Sequence, residues 1–317
     1  MGTPEFAVAS LDAIVKSRHS VAAVVTVPDK PAGRGKKLRP SPVKVYALEH
    51  DIPVLQPEKL KDEAFVKALQ SFEADVFVVV AFRMLPEKVW SIPPKGTFNL
   101  HASLLPQYRG AAPINHAIMN GETKSGVTTF FIDKQIDTGK IIMQLEVPLY
   151  AEDTAGDLHD RLMEAGAGLV LETLDAIAEG SVREIPQEQL IKEGEQLKAA
   201  PKIFREDCRI DWNKSAYSIV NKIRGLSPYP AAFTELKDDK GKILTMKIYR
   251  ARRGKSFDED KIKAGTVFTD GESRLGVAAA DAMVEIEELQ LQGKKRMSVK
   301  AFLNGYRNPE KLKIEGL

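Results

Sequence analysis

Three polar side chains in the N-terminal half of the chain could act together in acid–base chemistry. Asn99 and His101 are two residues apart, so in a β-strand both side chains project from the same face. The asparagine amide donates hydrogen bonds, and the imidazole gives or accepts a proton near neutral pH. Asp137 lies in the segment 132–139, ahead of a predicted strand at 140–147, and a carboxylate near an imidazole can fix its tautomer. These residue types predict a site that stabilises an oxyanion and moves a proton.

Taken singly, each of these residues also has a structural explanation. A lone histidine is more often structural than catalytic, Asn99 could cap a turn, and Asp137 precedes Thr138-Gly139 as an ordinary turn aspartate does. Covalent nucleophilic catalysis has less support, because the sequence has no Gly-x-Ser-x-Gly elbow and its single cysteine, Cys208, lies in the C-terminal part. One cysteine also excludes an intramolecular disulfide and a cysteine-rich zinc cluster, and no metal site is recognisable.

The elements around these residues favour an α/β fold with a Rossmann-like open sheet. Residues 22–27 and 76–80 are short apolar runs, typical of strands that are buried on both faces. Apolar periodicity and helix-start signals predict helices over 4–17, 63–71 and 154–178. The loop Ser103-Leu104-Leu105-Pro106 follows the strand of Asn99 and His101, and ligands bind at such strand ends in open α/β sheets.

The length of 317 residues favours two domains over one large domain. We predict a catalytic domain over 1–180, a linker over 181–204 and a second domain over 205–317. The linker region is rich in Gln, Glu and Lys, contains two prolines and has little periodicity. Beyond it, alternating apolar and polar residues at 244–249 and 284–287 predict a mainly β, OB-like barrel.

Charge is distributed unevenly along the chain. The total of +2 would by itself argue against a protein that coats nucleic acid. Residues 1–204 contain 23 basic and 27 acidic residues, whereas residues 205–317 contain 23 basic and 17 acidic, a formal charge of +6. The segment 30–44 has no acidic residue and six basic ones: Lys30, Arg34, Lys36, Lys37, Arg39 and Lys44. Such a segment is either a solvated loop or an arm that neutralises phosphates.

As a set, these residues resemble the 10-formyltetrahydrofolate-dependent formyltransferases. The resemblance rests on Asn-Leu-His-Ala-Ser-Leu-Leu-Pro-Gln-Tyr-Arg-Gly-Ala-Ala-Pro at 99–113, on Asp137-Thr138-Gly139, and on the more distant Gly2-Thr3-Pro4 and Ser227-Pro228-Tyr229-Pro230. It implies an α/β N-terminal domain, a barrel-like C-terminal domain and a catalytic trio of Asn99, His101 and Asp137. It also implies a folate-binding loop formed by Ser103, Leu104, Leu105 and Pro106.

The resemblance is greatest to the members of this family that act on methionine attached to initiator tRNA. It implies that 10-formyltetrahydrofolate is the co-substrate, that initiator methionyl-tRNA is the partner, and that the reaction needs no metal. We expect a cytoplasmic, monomeric enzyme that does not associate with membranes. In the family, an inserted basic loop contacts the tRNA, and its arginine matches Arg34. The expected tRNA contacts are Arg34, Lys36, Lys37 and Arg39.

Three other functions stay open on the sequence alone. The chain could formylate a nucleotide-linked aminosugar, although such relatives have no obvious need for the basic segment. It could hydrolyse formyltetrahydrofolate, since water could replace the amine in the same site. It could also be an RNA-binding module without catalysis, although the intact trio of Asn99, His101 and Asp137 argues against this.

One element of the family pattern has no counterpart in the sequence. Relatives carry a short apolar strand directly before Gly-Thr-Pro, where this sequence has only Met1. An internal Met taken as the start would explain this. If the polypeptide begins at Met1, we expect the centre of the sheet to lack that strand and its neighbours to lose ladder partners.

Overall fold

A computed structural model describes residues 1–32, 37–238, 240–257, 262–306 and 308–315. The chain divides into two compact units. Unit 1 comprises Met1–Pro113, Lys124–Pro148 and His159–Ala200, and unit 2 comprises Ile114–Thr123, Leu149–Leu158 and Pro201–Leu317. Throughout the described residues, no helix combines the length and the apolar character needed to cross a membrane.

Helices and strands alternate in the first half of the chain, and strands dominate the last third. The α-helices are α1 Glu5–Val15, α2 Pro42–Glu49, α3 Glu63–Gln70, α4 Glu87–Trp90, α5 Pro113–Met119, α6 Ala155–Glu179, α7 Ala216–Gly225 and α8 Val299–Gly305. The strands up to residue 200 are β1 Val24–Val25, β2 Lys30–Ala32, β3 Lys37–Arg39, β4 Val54–Leu55, β5 Phe77–Val80, β6 Thr97–His101, β7 Arg109–Gly110, β8 Lys124–Phe131, β9 Ile141–Pro148 and β10 Ala199–Ala200. The later strands are β11 Ala232–Lys237, β12 Ile243–Ser256, β13 Val267–Thr269, β14 Leu275–Ala278, β15 Ala282–Leu291, β16 Met297–Ser298 and β17 Lys313–Ile314.

Unit 1 is organised around buried parallel strands. β1 pairs in parallel with β4, and β5 pairs in parallel with β6. β8 joins the other edge of β6 and pairs with β9, and both of these pairings are antiparallel. The two predicted buried strands are confirmed as β1 and β5, since Val24, Val25, Val79 and Val80 are each at most 5% exposed. The sheet is therefore mixed, with its antiparallel part next to the strand of Asn99 and His101.

Met1 and Gly2 lie between β1 and β5. The amide of Gly2 donates to the carbonyl of Val25 at 3.0 Å, and the amide of Val80 donates to the carbonyl of Met1 at 2.9 Å. Gly2 forms a parallel bridge with Val80, so Met1 and Gly2 supply backbone partners to both neighbouring strands. A Cβ on Gly2 would lie 2.5 Å from the Cβ of Ala7, which explains why glycine fits here.

The long helix α6 lies against the strand that carries the candidate site. It confirms the helix predicted over 154–178, and its apolar stripe is buried at Leu162 and Leu169. A Cβ on Gly166 would lie 2.7 Å from Cδ2 of Leu100 in β6. The glycine therefore allows the helix to approach β6 closely, which supports that strand from behind.

The segment 181–204 differs from its predicted character as a linker. Up to residue 200 it belongs to unit 1, where Ile185 bridges Ile141 and β10 pairs in parallel with β7. A short 3₁₀-helix over Gln187–Leu190 lies between these two contacts. The polar composition predicts a linker, but this segment packs against unit 1 through backbone pairing and through a buried amide side chain. Close pairing is possible because Gly110 has no Cβ, which would lie 2.3 Å from the carbonyl oxygen of Ala200.

Unit 2 is an antiparallel sheet that forms a nearly closed barrel. Its strand order is β13-β14-β15-β12-β11-β17, and β16 pairs with β15. The alternation predicted at 244–249 and 284–287 is confirmed within β12 and β15. The core of this unit includes Trp212, which is 1% exposed and donates from its indole nitrogen to Oγ1 of Thr234 at 3.1 Å.

Candidate active site

The strand β6 presents Asn99 and His101 on one face at the end of the parallel part of the sheet. Asn99 lies opposite Val79 on one side and Phe130 on the other, so its backbone is held between two neighbouring strands. His101 is buried at 6% exposure, whereas Asn99 is half-buried. Because both residues lie in the strand β6, their side chains project from the same face, as predicted.

The imidazole of His101 lies between two oxygen atoms. Its Nε2 is 2.9 Å from the carbonyl oxygen of Tyr108, a hydrogen-bond distance. Its Nδ1 is 3.8 Å from Oδ2 of Asp137, close enough for an ion pair but too long for a hydrogen bond. A carbonyl only accepts, so Nε2 carries the proton, and in the neutral ring Nδ1 is the acceptor that faces the carboxylate.

Asp137 is placed by a left-handed turn. Its φ is +55°, and its carboxylate accepts a hydrogen bond from the amide of Gly110 at 2.9 Å. Asp133 shapes the same turn, because its carboxylate accepts from the amide of Gln135 and from the hydroxyl of Thr138. That Asp137 orients His101 stays a prediction, since the 3.8 Å that separates them is an ion-pair distance. The atom in hydrogen-bond contact with the ring is the carbonyl of Tyr108, which sequence patterns did not indicate.

Among the described residues, none forms a hydrogen bond with the side chain of Asn99. Its amide is therefore free to donate to a ligand. Together with the Nδ1 face of His101, it provides a donor and a proton-transfer group on the same face of β6. The structure thus brings His101 and Asp137 within 3.8 Å of each other, with Asn99 one pleat away on the strand.

The loop from Ser103 to Pro106 is fixed mainly through its backbone. Thr128 is completely buried in β8, and its Oγ1 donates to the carbonyl of Ser103 at 2.6 Å and accepts from the amide of Leu105 at 3.2 Å. Gln144 donates from Nε2 to the same Oγ1 at 2.9 Å and to the carbonyl of Leu105 at 2.7 Å. The side chain of Leu105 packs into a small core cluster, and Leu104 remains partly exposed.

The basic segment contains a β-hairpin, in which β2 and β3 pair with Lys30 opposite Arg39. Arg34 and Lys36 lie outside the described residues, whereas Lys37 begins β3 and Arg39 ends it with its side chain exposed.

Lys44, the last basic residue of the segment 30–44, lies outside this hairpin. It lies in α2, and its Nζ donates to the carboxylate of Asp29 at 2.7 Å. That bond, with another from Gln56, lowers the pKa of Asp29 below its usual value. The charge of Lys44 is thus engaged inside unit 1.

Sequence patterns missed one residue that contacts the segments around the site. Gln187 is completely buried and joins the turn of Asp137 to the side chain of Arg109. No signal in the sequence identifies it, because it lies in a polar segment between prolines, where a glutamine is unremarkable.

Family models match both parts of the chain. Residues 1–174 match the model described as formyl transferase, and residues 202–307 match the model of the formyl transferase C-terminal domain. The methionyl-tRNA formyltransferase of Bacteroides thetaiotaomicron is 54% identical over 307 residues, which cover 97% of this chain and 94% of that protein. That of Flavobacterium johnsoniae is 49% identical over 317 residues, covering 99% and 97%.

Solved structures share the fold at low identity. WlaRD, a sugar 3N-formyl transferase, is 22% identical with a TM-score of 0.60, and the match covers 93% of this chain and 97% of WlaRD. HypX from Aquifex aeolicus in complex with tetrahydrofolic acid is 21% identical with a TM-score of 0.55, covering 81% and 43%. The predicted α/β domain followed by a barrel domain is confirmed. On the family models and the full-length relatives together, the chain belongs to the formyl transferase family of enzymes.

Proposed function

We propose that this enzyme transfers the formyl group of 10-formyltetrahydrofolate to the amino group of methionine on initiator tRNA. The observation that carries the proposal is the identity of about half of all residues, over both units, to relatives named methionyl-tRNA formyltransferase. The arrangement of Asn99, His101 and Asp137 on and beside β6 supports the same chemistry.

The residue types suit an amine nucleophile. The methionine amino group attacks the formyl carbon, so the protein needs no nucleophile of its own, and the folate supplies the formyl group and a nitrogen leaving group. Negative charge develops on the formyl oxygen during this attack. The free amide of Asn99 is the group that would donate to that oxygen, and one such donor in an enclosed site is typically worth ~2.7–4 kcal/mol.

His101 and Asp137 would handle the proton that the amine loses. One proton leaves the attacking nitrogen and one is gained by the departing nitrogen, so the transfer needs a group that accepts and returns a proton. The Nδ1 atom of His101 is an acceptor in the neutral ring, since Nε2 donates to Tyr108. Once Nδ1 is protonated, the carboxylate of Asp137 at 3.8 Å stabilises the imidazolium. General acid–base catalysis of this kind contributes roughly 10²–10⁴-fold.

The loop from Ser103 to Pro106 is the proposed folate contact. Because Leu105 is 2% exposed, its side chain supports the loop from the core, and contact would come from the loop backbone and from Leu104. The bonds of Thr128 and Gln144 to the loop backbone favour a preformed surface over one that orders only on binding.

We assign the tRNA-binding role to the basic residues Arg34, Lys36, Lys37 and Arg39 of the segment 30–44, and to the barrel of unit 2. The formal charge of +6 over residues 205–317 supports attraction to phosphates. The catalytic role falls to unit 1, including the segment 181–200 that was expected to be a linker.

Incubation of the protein with 10-formyltetrahydrofolate and initiator methionyl-tRNA tests the proposal. We expect formyl-methionyl-tRNA, separated from methionyl-tRNA after base hydrolysis of the ester and chromatography of the released amino acid. Formate without formyl-methionine would indicate a hydrolase, and formylation of a nucleotide-linked aminosugar alone would indicate a sugar enzyme. Binding of tRNA without any transfer would indicate a module that only binds RNA. Each of these three results would overturn the proposal.

A further inference from the structure

Gln187 has a fully satisfied amide side chain in the interior of unit 1. It is 0% exposed, although it lies in a polar segment between Ile185 and β10. Its Nε2 donates to the carbonyl of Asp137 at 2.9 Å and to the carbonyl of Gly139 at 2.8 Å. Its Oε1 accepts from Nε and from an NH₂ group of Arg109, at 3.0 and 2.6 Å. These bonds use both donors and both acceptor positions of the amide.

Gln187 joins two chain segments, and each of them contacts a group of the candidate active site. On one side, it holds the backbone of the turn that carries the carboxylate of Asp137. On the other side, it holds Arg109, whose chain neighbours both contact the catalytic groups. The carbonyl of Tyr108 contacts Nε2 of His101, and the amide of Gly110 donates to the carboxylate of Asp137. One side chain therefore fixes the segments that place both members of the proton-transfer pair.

Both segments have backbone conformations that need external support. Tyr108 and Asp137 have positive φ angles of 61° and 55°, which are unfavourable for residues with a side chain. Gly139 passes so close to β8 that a Cβ would lie 1.7 Å from the carbonyl of Phe131. Such conformations persist where surrounding contacts determine them, and Gln187 supplies a contact to each segment.

We propose that Gln187 is a positioning residue that sets the separation of Nδ1 of His101 from the carboxylate of Asp137. It contacts neither of these groups itself and acts through the turn of residues 137–139 and through Arg109. The proposal rests on the assignment of formyl transfer to this site. A purely structural role would predict lower thermal stability with unchanged turnover of the folded protein. A positioning role predicts loss of turnover in protein that is fully folded.

Substitutions of Gln187 separate these roles, with Gln189→Ala as the matched control. Gln189 lies two residues away in the same 3₁₀-helix, and its side chain is exposed. Gln187→Met keeps the length and volume of the side chain but makes no hydrogen bond. We expect its kcat to fall by about 10- to 100-fold, since misplacement by ~1 Å can cost that much. The KM values for both substrates should stay within about twofold, when measured at least 15 °C below the unfolding midpoint.

Gln187→Glu adds a pH-dependent readout. The introduced group can still accept from Arg109, but its ionised form would place a negative oxygen against the carbonyls of Asp137 and Gly139. Its protonated form can donate to one of them. The kcat of this variant, divided by that of the wild type, should therefore be larger at pH 6 than at pH 8. A structural role alone gives a ratio that does not change with pH.

Nuclear magnetic resonance of the imidazole nitrogens tests positioning without any substrate. We expect Gln187→Met to shift the ring signals of His101, and Gln189→Ala to leave them in place. Shifted signals with a reduced kcat support the proposal. A kcat within twofold of wild type in folded Gln187→Met, or unchanged His101 signals, overturns it. If the wild-type protein makes no formyl-methionyl-tRNA, the proposed function fails, and the His101 signals still decide whether Gln187 positions the ring.

Discussion

Replacement of Thr128 by valine removes three hydrogen bonds while keeping the shape of the side chain. The hydroxyl of Thr128 donates to the carbonyl of Ser103 and accepts from the amide of Leu105 and from Gln144. Since residue 128 is 0% exposed, water cannot replace its two bonds to the loop backbone. The substitution therefore leaves two buried backbone groups of the proposed folate loop, the carbonyl of Ser103 and the amide of Leu105, without that partner, whereas Gln144 is exposed.

The neighbouring Thr129 provides a matched control. It is also 0% exposed, but its hydroxyl makes one hydrogen bond, of 2.8 Å, to the hydroxyl of Thr173. The hydroxyl of Thr173 keeps its own bond to the carbonyl of Leu169, so Thr129→Val leaves no donor unpaired. An ordinary hydrogen bond contributes about 1 kcal/mol, and each buried group left unpaired costs about 1–3 kcal/mol. We expect Thr128→Val to cost about 3 kcal/mol of unfolding free energy and Thr129→Val about 1 kcal/mol.

Calorimetry and steady-state kinetics measure the two consequences. For a domain of this size, 1 kcal/mol corresponds to a shift of about 2–4 °C in the unfolding midpoint. The midpoint of the unit 1 transition should therefore fall by about 6–12 °C in Thr128→Val and by about 2–4 °C in Thr129→Val. Because the loop loses its anchors, the KM for 10-formyltetrahydrofolate should rise about five- to tenfold in the first variant, equivalent to about 1–1.4 kcal/mol. Equal midpoint shifts would refute the hydrogen-bond argument. A large shift with an unchanged KM would refute the assignment of the loop to folate.

Three further predictions use the same assays. His101→Ala and Asp137→Asn should each lower kcat by about 10²–10⁴-fold with an unchanged circular dichroism spectrum, and near-normal turnover in either would contradict the proposed proton transfer. On helix α6, Gly168→Ala should stabilise the protein by about 0.5–1 kcal/mol, because a Cβ at residue 168 meets nothing within 4 Å. Gly166→Ala should destabilise it, because a Cβ at residue 166 would lie 2.7 Å from a leucine of β6. A higher midpoint for both variants would contradict that packing. Arg39→Ala should weaken tRNA binding and reduce the slope of log K against log salt by about 1, and an unchanged slope would remove Arg39 from the interface.

The predictable parts of the fold are those that bury apolar side chains with a regular period. The strands β1 and β5 and the helix α6 follow directly from apolar runs or from a 3.6-residue rhythm. The segment 181–200 has neither signal, because its attachment to unit 1 depends on backbone pairing of β10 with β7 and on one buried amide. Every residue type except proline carries the same backbone donor and acceptor, so sequence patterns do not reveal such pairing.

The candidate site shows the same division between side chains and backbone. Residue type and spacing place Asn99 and His101 on one face of a strand, whereas the trio of Asn99, His101 and Asp137 is selected by the resemblance to the formyl transferase family and stays a prediction. The partners that set their geometry were not predictable. They are the carbonyl of Tyr108, the amide of Gly110 and the distant side chain of Gln187.

The positive φ angles explain why these partners come from so many parts of the chain. A residue such as Asp137 or Tyr108 takes a left-handed conformation at a cost in free energy, and the conformation holds only when contacts on several sides determine it. Near neighbours in sequence cannot supply all of these contacts, because they move with the strained residue. Support therefore has to come from separately anchored elements, which here are β10 and the 3₁₀-helix of Gln187. On this argument, the polar segment up to residue 200 belongs to the support of the site in unit 1, together with the strand that carries His101.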